Sequence, residues 1–150
     1  MREAMFAEKL PGNAVRCRLC AHECKIAEGK AGLCGVRKNI KGVLCTESYA
    51  NPVAQQIDPV EKKPLYHFLP GSETFSIAVP GCNFRCQFCQ NWEISQKEED
   101  SGSSLLEEEI MPDEVVEAAM RNNCRSISYT YTEPTIFFEY AYDIAKLSKQ

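Results

Sequence analysis

The chain has 150 residues and a mass of 16.9 kDa, enough for one ordinary domain or a small module joined to part of a larger one. With 44% hydrophobic and 25% charged residues it reads as globular, while a net charge of −4 and a pI near 5.3 offer no basic field for nucleic acid. No apolar run reaches the roughly 18 residues that span a bilayer, and Met1–Glu8 lacks the apolar core of a secretory signal, so the expectation is a cytoplasmic protein with neither membrane nor nucleic acid as partner.

Residues 1–50 hold five of the nine cysteines: Cys17, Cys20, Cys24, Cys34 and Cys45. The total is odd and no export signal precedes them, so metal or redox ligation is a stronger reading than disulfide pairing. The segment is rich in Gly, Lys and Arg and shows little apolar periodicity. Burial alone is not expected to fold it, and bound metal is the usual staple. Cys17-Arg18-Leu19-Cys20 closes a tight chelate turn, and Cys24 and Cys34 can complete four thiolates. His22 is a substitute ligand and Cys45 a more distant one. Zinc and an iron–sulfur centre both suit such a set, and reduced thiols without a ligand are the plain alternative.

Residues 51–72 carry Pro52, Pro59, Pro64 and Pro70, a spacing that blocks helix and predicts an extended connector. Its Glu61, Lys62, Lys63 and His67 read as a solvated strap, with His67 a packed or capping imidazole. From residue 73 the texture changes. Phe75, Ile77 and Val79 alternate with Thr74, Ser76 and Ala78, which predicts a strand ended by Pro80-Gly81. Three cysteines follow. Residues 95–104 are polar and predict a surface loop. Pro112, with Asp113 and Glu114 behind it, opens a helix whose apolar face is Val115, Val116, Ala119 and Met120, closed by Asn122-Asn123. Ser126–Tyr131 predicts a second strand with Ile127, Tyr129 and Tyr131 on one face. After Glu133-Pro134 comes a second helix, with Phe137, Ala141, Ile144 and Leu147 as its stripe. Cys124 reads as a buried small hydrophobe. The βα order over residues 73–150 predicts parallel strands joined by a crossover, hence an α/β fold behind a Cys-rich segment.

The sharpest motif is Gly81-Cys82-Asn83-Phe84-Arg85-Cys86-Gln87-Phe88-Cys89. Cysteines at i, i+4 and i+7 after a strand can turn three thiolates toward one centre. A structural zinc site wants four ligands, and so does a fully protein-bound cubane. Three thiolates leave one iron of a [4Fe–4S] cluster open to a substrate-like molecule. A zinc knuckle or three unrelated thiols is the alternative. The C-x3-C-x2-C spacing, with an aromatic before the last cysteine, resembles the radical SAM superfamily signature. That resemblance implies a [4Fe–4S] cluster on Cys82, Cys86 and Cys89, S-adenosylmethionine as cofactor, and Phe88 near the adenine. It further implies reductive cleavage to a 5′-deoxyadenosyl radical that abstracts hydrogen. The same resemblance places the motif at the C-terminal end of the first strand of a partial (βα)6 barrel. Tyr131-Thr132-Glu133-Pro134 resembles that family's Gly-Gly-Glu-Pro turn, which implies that Thr132, Glu133 and Pro134 face the cofactor's amino group. The glycines are absent here. A plain strand-to-helix turn, with Glu133 at the next helix N-terminus, is the alternative.

With Asp58–Ser72 and Gln90-Asn91-Trp92 added, the chain is most similar to the radical SAM enzymes of the AmmeMemoRadiSam system, relatives of pyruvate formate-lyase activating enzymes. This resemblance implies association with Memo-like and AMMECR-type proteins and does not carry over a substrate; the activating-enzyme relatives offer a protein backbone glycine as one option, and a reductant such as flavodoxin or ferredoxin is expected. From Cys82 to Gln150 there is room for two βα units, whereas a full eight-unit barrel needs roughly 250 residues. A truncated barrel is therefore expected. The competing function is a non-enzymatic metal-binding or electron-transfer module with two cysteine sites.

Overall fold

The computed structural model describes residues 1–96 and 109–149. The α/β chain forms three three-stranded sheets and three α-helices among these residues. The first half is all strand: β1 (Arg2–Glu3), β2 (Ala7–Lys9), β3 (Val15–Cys17), β4 (Lys25–Ile26), β5 (Arg37–Ile40) and β6 (Val43–Thr46). They assemble as two small antiparallel sheets, ordered β1-β6-β5 and β2-β3-β4. Ala4, Val15, Cys17, Ile26 and Leu44 form a core between them. The segment, read as having little apolar periodicity, thus buries a small apolar core of its own. Strands of two to four residues are too short for a period of two to register in sequence.

The third sheet is made by β7 (Ala54–Pro59), β8 (Glu73–Ala78) and β9 (Ser126–Tyr129), with β8 central. β7 pairs antiparallel with β8, Ala54 opposite Ala78 and Pro59 opposite Glu73. β9 pairs parallel with β8, Phe75 opposite Ile127 and Ile77 opposite Tyr129. Of the stretch read as an extended connector, Ala54–Pro59 form an edge strand where Pro59 needs no ladder donor, and Val60–Lys62 form a 3₁₀ turn that the proline spacing did not predict. The parallel β8–β9 pair agrees with the expected βαβ order. β9 ends at Tyr129, because Tyr131 takes φ +64° and leaves the strand alternation.

Helix α1 (Trp92–Ser95) follows the cysteine loop, so Ser95, expected at the start of a surface loop, is buried at a helix end. Positions 97–104 of that expected loop lie outside the described residues. Helix α2 (Pro112–Arg121) starts with Pro112 at its first position, while Glu114 Oε2 accepts from the Met111 N–H at 2.7 Å. A 3₁₀ turn over Pro134–Phe137 leads into helix α3 (Phe138–Leu147). The buried stripe there is Ile136, Phe137, Tyr140 and Ile144, whereas Leu147 is exposed. These residues pack with Phe75, Ile77, Val79, Val115 and Ala119 into the main core, which Val36 and Ala50 also join. Cys124 is half-buried against that core.

The strand module is bolted to α3 by a buried ion pair. Arg37 Nη1 and Nη2 donate to Glu139 Oε2 and Oε1, both at 3.0 Å. Arg37 Nη2 also donates to Met5 O at 2.6 Å, and Met5 N–H donates to Glu139 Oε1 at 2.7 Å. Among the described residues no helix is long and apolar enough to cross a membrane.

Candidate metal and cofactor site

Strand β8 delivers the chain into the three-cysteine loop. Gly81 holds the entry with φ +87°, and a Cβ there would stand 2.3 Å from Cys34 O and 2.9 Å from a Val36 methyl. Only glycine fits both the conformation and the close approach. Gly81 N–H donates to Ile94 O at 2.8 Å, which closes the loop onto α1. Inside it, the Phe84 N–H points at Cys82 Sγ at 3.4 Å and Cys89 N–H donates to Cys86 O at 3.2 Å. Cys89 Sγ meets Ser95 Oγ at 3.4 Å. Arg85 clamps the turn, donating to Cys82 O at 2.9 Å, Phe84 O at 3.0 Å and Leu33 O at 2.5 Å. Cys82 is buried, Cys89 half-buried and Cys86 exposed. Phe88 is 91% exposed, so no protein group covers its ring.

The turn after β9 lies against the same sheet edge. Asn91 Nδ2 donates to Tyr131 O at 2.9 Å, and the buried Thr132 Oγ1 donates to Val79 O at 3.0 Å. The cysteine loop and the Thr132-Glu133-Pro134 turn are therefore tied together. Tyr131 occupies the left-handed region that a glycine would take without strain. Its hydroxyl donates to Asp58, and Lys63 Nζ sits 4.5 Å from its ring centre. Those contacts hold in place the turn that the sequence builds without glycine. Glu133 Oε1 accepts from Thr135 Oγ1 at 2.6 Å and Thr135 N–H at 3.4 Å, capping the 3₁₀ turn. Glu133 is half-buried, and its second carboxylate oxygen has no partner recorded among the described residues.

Sequence reasoning missed Asp58. This buried carboxylate accepts from Lys62 Nζ and Lys63 Nζ, both at 2.6 Å, and from Ser76 Oγ at 2.8 Å, besides Tyr131. Burial opposes its ionisation, yet the Lys62, Lys63, Tyr131 and Ser76 donors outweigh it and hold the carboxyl well below the usual range. Lys62, Lys63, Asn91 and Tyr131 line an open cleft of about 710 Å³ beside the cysteine loop. The strap reading is corrected for Lys63, whose side chain is only 10% exposed. Glu61 accepts the Gly71 N–H at 2.7 Å, and His67 is exposed rather than packed. An i, i+4 Asp-Lys pair at residues 58 and 62 was the one available signal, but such a pair is common on any surface.

The N-terminal cysteines come together as well. Cys17, Cys20, Cys24 and Cys34 line one enclosed cavity, whereas Cys45 does not. His22 borders it, but its Nε2 is engaged with Asn83 O at 2.8 Å. Burial pushes the Cys34 thiol up, while the Val36 and Arg37 N–H groups aimed at its sulfur act the other way.

A family model described as Radical SAM superfamily matches residues 76–150, half of the chain. The chain belongs to the radical SAM superfamily. The matched span opens inside β8 and takes in the cysteine loop, the Glu133 turn and α3. The chain is 50% identical over all 150 residues to the uncharacterized protein MJ0808 of Methanocaldococcus jannaschii, and it spans 44% of that protein's length. It is 33% identical over 81 residues, 53% of the chain, to the uncharacterized protein MJ0674 of the same organism, of which it spans 19%. No solved structure matches the chain.

Radical SAM proteins as a family use a [4Fe–4S] cluster and S-adenosylmethionine, and the residues present fit both. Three soft thiols on one closed loop suit iron–sulfur ligation. As the side chains stand, no three His, Cys, Asp or Glu groups among the described residues converge on a single ion. Phe88 offers a bare aromatic face and Glu133 an open carboxylate oxygen at the neighbouring turn.

Proposed function

We propose that this chain carries the cluster- and cofactor-binding start of a radical SAM enzyme, with β8 and β9 as the first two strands of a partial (βα)6 barrel. The observation that carries the reading is the pair of ties across the sheet edge, Asn91 to Tyr131 O and Thr132 to Val79 O. They set the three-cysteine loop beside the Thr132-Glu133-Pro134 turn, whose Glu133 carboxylate accepts from Thr135 through Oε1. When bound, the cluster and S-adenosylmethionine supply reductive cleavage of the sulfonium C–S bond, giving methionine and a 5′-deoxyadenosyl radical that abstracts hydrogen.

The chain's own residues do the rest. Cys82, Cys86 and Cys89 hold three corners of the cluster. The Phe84 N–H at Cys82 Sγ stabilises that thiolate, as an amide donor does for any anionic ligand. Glu133 receives the cofactor's ammonium through its free oxygen, while Thr135 keeps the carboxylate in one rotamer. Phe88 covers the adenine. Thr132 and Pro134 shape the turn without moving a proton. The finer reading places the chain among the AmmeMemoRadiSam radical SAM enzymes, with an activase-like hydrogen abstraction from a protein glycine, a flavodoxin- or ferredoxin-type reductant, and Memo-like and AMMECR-type partners.

The test is anaerobic reconstitution of the protein with iron and sulfide, reduction, and addition of S-adenosylmethionine. Two results are expected: a change in the reduced cluster's electron paramagnetic resonance signal, and release of 5′-deoxyadenosine. Both are lost in Cys86→Ala. A cluster signal indifferent to S-adenosylmethionine refutes the proposal and leaves a metal-binding module.

A further inference from the structure

The strand module holds five cysteines that the radical chemistry leaves unused, and four of them gather. Cys17 ends β3 and bonds through its N–H to Cys24 O at 2.9 Å, so the hairpin loop between them returns to its start. The Glu23 N–H bonds to Cys20 O at 3.1 Å, tightening the middle of that loop. Cys34 arrives from the next loop. All four side chains line the same enclosed cavity. Its volume is about 20 Å³, space for about one water-sized sphere.

Two further observations point to an ion there. Gly32 borders the cavity without a side chain, and a Cβ at that position would lie 3.5 Å from Cys24 Sγ. Arg37 is 2% exposed, lines the cavity, and its Nε is buried without a hydrogen-bond partner. A buried guanidinium N–H with no acceptor is costly, and a thiolate sulfur is the acceptor this cavity can offer.

We propose that Cys17, Cys20, Cys24 and Cys34 form a closed tetrathiolate site for one zinc ion, separate from the radical SAM cluster. Four protein sulfurs leave no open position, which marks a structural rather than a catalytic centre. The cavity as it stands has space for about one water-sized sphere. As the side chains stand, among the described residues no three converge on one point. Loading the ion therefore turns the sulfurs inward by rotation between staggered χ1 wells. The module it braces touches the cysteine loop through His22 to Asn83 O, Arg85 to Leu33 O and the Gly81–Cys34 approach. The zinc thus stiffens the wall on which the radical SAM loop rests.

The experiment uses the Cys82→Ser, Cys86→Ser, Cys89→Ser triple variant of the protein, purified anaerobically and analysed for metals. One zinc per chain with iron lost is expected, and adding Cys20→Ser and Cys24→Ser removes the zinc. Iron with sulfide bound in place of zinc overturns the proposal, as does the absence of stoichiometric metal. Should the five-fold variant fail to fold, cobalt(II) titration of the metal-stripped triple variant decides. Sulfur-to-cobalt charge transfer and tetrahedral ligand-field bands saturating at one equivalent support the site. A spectrum without the charge-transfer band refutes it.

Discussion

The Arg37–Glu139 pair makes the strongest stability prediction. Both residues are 2% exposed, and the carboxylate takes two guanidinium N–H groups at 3.0 Å as well as the Met5 N–H. Glu139→Gln preserves volume but leaves the Arg37 charge buried and uncompensated. Breaking such a pair costs about 3–5 kcal/mol. The glutamine oxygen can still accept one of the donors, so the lower end, about 3 kcal/mol, is expected. For a chain of this size 1 kcal/mol moves Tm by roughly 2–4 °C, which places the loss at about 6–12 °C. Replacing both partners, Arg37→Met with Glu139→Leu, removes the charges together and should cost less than either single change. Thermal unfolding followed by circular dichroism reads Glu139→Gln beside the parent and the double-mutant cycle of Arg37→Met and Glu139→Leu. A Glu139→Gln midpoint within about 2 °C of the parent, or a double variant as damaged as the sum of the singles, would refute the idea that this pair couples the strand module to α3.

Two other outcomes follow from the site. Gly81→Ala forces a left-handed side chain, costing about 1–2 kcal/mol, and drives it against the Cys34 carbonyl and a Val36 methyl, which adds about 1–3 kcal/mol; an unchanged denaturant midpoint would contradict that account. Asp58 has a native pKa below its unfolded value of about 3.9. Its ionised form therefore stabilises the fold at and above about pH 4, and the contribution fades as pH falls toward the native pKa. The stability difference between the parent and Asp58→Asn should be constant from neutral pH to about pH 5 and shrink below about pH 4. A difference that persists undiminished to pH 2 counts against the network of Lys62, Lys63, Tyr131 and Ser76.

Local signals carried the second half of the chain further than the first. The alternation through Phe75 and Ile77 and the Pro112-Asp113-Glu114 start each describe an element whose cause lies within a few residues. The parallel β8–β9 pair follows from their order. The small sheets of residues 2–46 escaped because their strands are too short to show a period, and their core joins residues as distant as Ala4 and Leu44. Leu147 was read into a buried stripe because periodicity cannot tell where a helix runs out of neighbours, and the structure leaves it exposed.

The same division runs through the site. Sequence by itself determined the thiol chemistry and spacing of Cys82, Cys86 and Cys89, because softness is a property of the side chain and i, i+4, i+7 spacing is a property of the local chain. Only the tertiary structure decided that Asp58 reaches Tyr131 across 73 positions, that Tyr131 fills a glycine's conformation, and that Cys34 joins Cys17, Cys20 and Cys24 while Cys45 does not. Those outcomes depend on which strands pair and which loops fold back. Such distances are set by the burial of the whole core rather than by neighbours in the chain.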